Sequence, residues 1–163
     1  MNRPFRTLFL SGMVVLGVSV SWGEERFSVT ADGTVQDNTT SMVWMRNANC
    51  WGALTWEEAM KAVAALNAGQ KACEGYTGTY DDWRLPGKDD LATLVGSPGL
   101  HGLILPERHP FKKTLQGHYW SSTESDAQSS AWYLNLHNGH MDSYGKQEAY
   151  FVWPVRGQQV KQP

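Results

Sequence analysis

His118, Ser121, Ser122, Thr123, Glu124 and Asp126 crowd into the nine residues HYWSSTESD, which hold the side-chain types a serine hydrolase uses. That chemistry needs a serine within hydrogen-bond reach of a base, a third group to orient the base, and donors for an oxyanion. A second group lies in NLHNGHMD, where Asn138-Gly139 reads as a two-residue hairpin turn. With that turn His137 faces His140, and Asn135, His137, His140 and Asp142 share a polar face opposite Leu134, Leu136 and Met141. His137, His140 and Asp142 are weak candidates for a divalent metal, since such a face is more often simply solvated. A third group is cationic. Arg108, Lys112 and Lys113 cluster in ERHPFKK, where they could meet sulfated or carboxylated glycans through charge-assisted bonds. Tyr133, Tyr144 and Tyr150 on the closing strands are candidates to stack on a sugar ring or to form a protein hot spot.

The elements carrying these groups discriminate between the readings. On a strand, His118, Trp120 and Ser122 share one face while Tyr119, Ser121 and Thr123 share the other. His118 and Ser122 are then roughly 13 Å apart, too far to bond, and no nucleophile elbow surrounds either serine. The stretch therefore reads as a packed strand, with Trp120 in the core and Ser121 and Ser122 satisfying nearby polar groups. No catalytic residue is assigned. In DDWRLP, Trp83, Leu85 and Pro86 pin a Gly- and Tyr-rich loop to the core, and Arg84 pairs with Asp81 or Asp82 or bonds carbonyls.

RFSVTADGTVQDNTTSMVWMR reads as strand, turn, strand, with Asp32-Gly33 and Asp37-Asn38 as turn residues. LTWEEAMKAVAALNAG is the clearest helix. Thr55 caps it, Glu58 completes a capping box, and Trp56, Met60, Val63 and Asn67 fall on one side beside Ala59 and Leu66. Lys88 to Val95 forms a shorter helix, with Asp89 and Asp90 in its first turn and Leu91, Leu94 and Val95 buried. Ser97 to Gln116 is a long loop broken by Pro98, Pro106 and Pro110. HYWSSTE, AWYLNLHNGHM and YFVWPVR read as strands, so the class is α+β.

Residues 1–23 have the order of a secretory signal: Arg3 and Arg6, an apolar run, then Ser21 and Gly23 before Glu24. The run is shorter than a membrane span. Residues 24–163 are then expected as a single exported domain with no membrane span, in the periplasm, on the cell surface or outside the cell. Cleavage removes two arginines and no acid, taking the formal charge from −2 to about −4. That balance gives no general attraction to nucleic acid or anionic membrane. Cys50 and Cys73 are the only cysteines, and in an oxidising compartment they are expected to form one disulfide.

MVWMR, NCWG, LTWEEAM, YDDWRLPGKDDLATLV, HPF, YWSSTE, AWYLNLHNG and YFVWPVRG occur in that order. Together they resemble the Lcl C-terminal domain family, a bacterial domain named from a collagen-like adhesin, from about Val35 to Gly157. Trp83, Arg84, Leu85, Pro86, Trp120, Ser121, Ser122, Trp132 and Arg156 belong to that pattern and carry structural roles. HPF implies an anchor for the long loop. The resemblance implies a C-type-lectin-like fold, with paired terminal strands and two helices flanking a small antiparallel sheet.

It also implies an exported binding or adhesion module rather than an enzyme, with no cofactor. The Glu-Pro-Asn or Gln-Pro-Asp and Trp-Asn-Asp triplets of calcium-dependent lectins are absent. The late reactive cysteines of sulfatase-activating oxidases on that fold are absent as well. The expected partner is a glycan or a cell-envelope protein, met through loop 100–117 and the adjoining sheet. The alternatives are a structural subunit of an envelope assembly, which allows an oligomer, and a metal-dependent enzyme built on His137 and His140.

Overall fold

The computed structural model describes residues 26–95, 105 and 109–158, so the signal-like segment 1–23 lies outside them. The elements are β1 (Phe27–Val29), β2 (Thr34–Asp37), β3 (Val43–Met45), β4 (Ala53–Leu54), α1 (Trp56–Asn67), α2 (Lys88–Leu94), β5 (His118–Glu124), β6 (Ser130–Asn135), β7 (Met141–Gly145), β8 (Tyr150–Phe151) and β9 (Val155–Arg156). The class is α+β, as the element order implies. Where one small sheet is expected, the strands form two. The first runs β1-β2-β3-β9 and the second β4-β8-β5-β6-β7.

The Asp32-Gly33 turn starts the first sheet. Gly33 has φ +85°, and a Cβ there would lie 1.9 Å from the Gly75 carbonyl oxygen. Only glycine satisfies both the backbone angle and that approach. Antiparallel pairing then sets Val35 against Trp44, and Trp44 against Val155 of the last strand. The chain's first and last described strands thus lie in one sheet but on its opposite edges, β1 beside β2 and β9 beside β3, rather than paired with each other as the resemblance implies.

YFVWPVR is not the single strand its pattern suggests. Tyr150 and Phe151 pair in the second sheet, with Phe151 parallel to Tyr119, while Val155 and Arg156 pair in the first. Val152, Trp153 and Pro154 between them are buried. The Trp153 ring meets Trp44 at 5.5 Å, Phe111 at 4.8 Å and Tyr119 at 5.6 Å, and its Nε1 donates to the Met45 carbonyl. One indole therefore knits both sheets and the HPF segment. Phe111 also packs on Phe27, which is the anchoring role expected of HPF.

Helix α1 starts with the capping box expected of Thr55 and Glu58. Its inward stripe is rotated from the expected one. Ala59, Ala62, Val63 and Leu66 are buried, while Met60 is 41% exposed. The alanines let the helix lie close to the core, and Trp56 moves to its margin, donating Nε1 to the Ser121 carbonyl at 2.8 Å. Asn67 clamps the DWRLP segment with both amide atoms. Its Nδ2 donates to the Trp83 carbonyl, and its Oδ1 accepts from the Trp83 N–H.

Arg84 does not pair with Asp81 or Asp82. It bonds Asp90, a fully buried carboxylate that also accepts from the Gly87 N–H at 2.7 Å, and it donates to the Gly157 carbonyl. A buried carboxylate needs a cation far more than an exposed one does. Asp82, at the surface, is taken by Arg156 at 2.6 Å, and this bond holds its carboxyl below the usual range.

Candidate functional site: an aromatic face of the second sheet

Strand β5 keeps the alternation of HYWSSTE, and its register assembles the site. His118 pairs with Asn135 and Trp120 with Tyr133, so those four residues share a face. Tyr133 in turn pairs with Asp142, and Ala131 with Tyr144, which brings Asp142 and Tyr144 to the same side. Tyr150 on β8 completes it.

The rings form a contiguous platform. Tyr150 lies 4.4 Å from Trp120, 4.8 Å from His118 and 5.0 Å from Tyr133, and His118 lies 4.7 Å from Tyr133. Trp120 is the floor, fully buried, with its Nε1 donating to the Leu54 carbonyl. His118, Tyr133 and Tyr150 are half-buried above it, and Tyr144 stands at the edge, 55% exposed. Helix α2 covers the opposite face, where Lys88 Nζ sits 3.4 Å over the Trp132 ring.

Among the described residues, the Tyr133 and Tyr150 hydroxyls and the His118 ring nitrogens have no hydrogen-bond partner, and none is sealed from solvent. These polar tips are therefore available to a ligand. Desolvation raises the Tyr150 phenol to about 12, helped by Tyr133, Glu148, Tyr144 and Asp142. Tyr133 is raised by the same causes, desolvation first and then Asp142 and Tyr144. Both phenols are neutral donors at ordinary pH.

The serines and threonine of HYWSSTE are committed to structure. Ser121 Oγ accepts from the Thr123 N–H, Ser122 donates to the Pro86 carbonyl, and Thr123 Oγ1 accepts from the Lys88 N–H. The pairing with β6 shifts register between Trp120 and Glu124.

The NLHNGHMD hairpin differs from its expected form. Asn135, not His137, lies opposite His140, and Leu136 to Gly139 make a four-residue loop. Asn135 Oδ1 accepts from the His137 N–H and Asn138 Oδ1 from the His140 N–H. These side-chain bonds stabilise the wider turn. Leu136 is buried, and its N–H donates to the Gly117 carbonyl. His137 and His140 are exposed, and Asp142 Oδ1 accepts from the Ser143 N–H at 2.7 Å. Among the described residues no three His, Cys, Asp or Glu side chains gather as a metal site.

The basic cluster lies elsewhere. Arg108 falls outside the described residues, as does much of loop 100–117. Lys112 joins Asn47 in an isolated bridge beside the first sheet, and Lys113 pairs with Glu74 next to the Cys50–Cys73 disulfide. The structure thus unites Tyr133, Tyr144 and Tyr150, and leaves Lys112 and Lys113 outside their platform. His118 and Trp120 are the members that the sequence pattern alone does not place there. The alternation of His118 with Trp120 was the available signal, but the pairing that adds Tyr150 joins residues far apart in the chain.

The Lcl C-terminal domain family model matches residues 33–156, and the chain belongs to that family. No curated protein matches the chain.

Proposed function

We propose that the protein is an exported, non-catalytic binding module that recognises a glycan through the aromatic face of its second sheet, without calcium. The observation that carries this reading is the ring platform of His118, Tyr133 and Tyr150 over the buried Trp120, with the polar tips of the first three free and not sealed from solvent. A sugar ring offers C–H groups for stacking and hydroxyls for those tips, so one ligand satisfies both. The signal-like segment 1–23 and the Cys50–Cys73 disulfide support export of residues 24–163 as one domain. Two helices and a sheet that holds both the first and the last strand support a C-type-lectin-like fold.

A glycan array probed with the disulfide-intact protein, with and without EDTA, tests the reading. The expected result is binding that survives EDTA and is lost in Tyr133→Ala, with circular dichroism unchanged. Binding to no glycan would overturn it and direct attention to envelope proteins. Loss with EDTA would point instead to a metal held near His137, His140 and Asp142.

A further inference from the structure

The aromatic face also carries acidic side chains, and that charge chooses among glycans. Asp142 lies directly across from Tyr133 on the neighbouring strand. Glu148 sits in the turn after β7, two residues before Tyr150, with its N–H donating to the Gly145 carbonyl, and with Asp142 it disfavours the Tyr150 phenolate. The ring faces add the negative side of their quadrupoles. Lys146, just after β7, is engaged: its Nζ bonds Glu124 Oε2 at 2.8 Å and sits 4.4 Å over the Trp56 ring. Lys112 and Lys113 belong to the other sheet's surroundings. His118 lies within the platform, and His140 lies opposite Asn135 at its margin.

The geometry points to a glycan bearing a free amine as the ligand class, its ring on Tyr133 and Tyr150 and its ammonium against Asp142 and Glu148. This rests on the proposed reading of the face as a glycan site. The same carboxylates disfavour sulfated and uronic acid glycans, which the basic cluster alone would have suggested. An ammonium gains charge-assisted bonds from exposed carboxylates and a cation–π contribution from the rings.

The test uses protein matured from the full chain in an oxidising compartment. Isothermal titration calorimetry at neutral pH and low salt compares a glucosamine oligomer, its N-acetylated counterpart and a sulfated oligosaccharide. The free-amine oligomer should bind about tenfold more tightly than the acetylated one, a difference of about 1.4 kcal/mol, and the sulfated one most weakly. Asp142→Asn keeps an oxygen for the Ser143 N–H and removes only the charge. It should bring the affinity for the free-amine oligomer down close to that for the acetylated one. Equal binding of amine and acetylated oligomers, or an Asp142→Asn variant that keeps the preference, would overturn the inference alone. No binding of any oligomer would overturn it together with the glycan reading.

Discussion

Asp90 has no exposed surface, and its carboxylate is satisfied by Arg84 and the Gly87 N–H at the start of α2. Arg84→Ala would leave that charge buried and short of its cation, so a loss of about 3 kcal/mol is expected. Urea denaturation measures it, and a loss under about 1 kcal/mol would contradict the role. Tyr119 and Tyr150 are both raised to about 12, by desolvation first. The folded chain then keeps protons that the unfolded chain releases near pH 10. Their contribution is complete below about pH 10 and falls as pH rises towards about 12. Tyr133 is raised as well, so three of the six tyrosines should titrate late in phenolate absorbance while the protein stays folded. Six phenols ionising together would contradict their burial.

At the scale of elements, the legible parts were those with local chemistry. Thr55 and Glu58 mark the start of α1, Asp32-Gly33 marks its turn, and HYWSSTE alternates as a strand should. What could not be read depended on distant partners. YFVWPVR is apolar on both sides, so no period reveals that it serves two sheets. Asn138-Gly139 carries the two-residue turn signal, yet Asn135 and Asn138 side chains bond the loop backbone and widen it. The buried stripe of α1 departs from the apolar pattern because alanine adds little to that pattern while permitting close packing. Gly33→Ala tests the first turn most sharply. Its positive φ and the Gly75 carbonyl together predict a loss of at least about 2 kcal/mol by thermal or urea unfolding. An unchanged midpoint would mean that the turn tolerates a side chain.

Across the whole molecule, the disulfide ties the segment before β4 to the loop after α1, spanning 23 residues. Cutting it by Cys50→Ala with Cys73→Ala should cost about 3 kcal/mol on the chain-entropy account, read from urea midpoints. The platform rings come from β5, β6 and β8 and neither cysteine is among them, so the double variant should still bind ligand wherever it remains folded. Loss of binding by folded variant would show that the platform depends on the disulfide loop. The central claim is that recognition belongs to the outer face of the second sheet. Nuclear magnetic resonance mapping with a glucosamine oligomer tests it most directly. The account predicts shifts concentrated at His118, Tyr133, Asp142, Tyr144 and Tyr150, with little change at Lys112 and Lys113. Shifts centred on Lys112 and Lys113, with the platform silent, would contradict it.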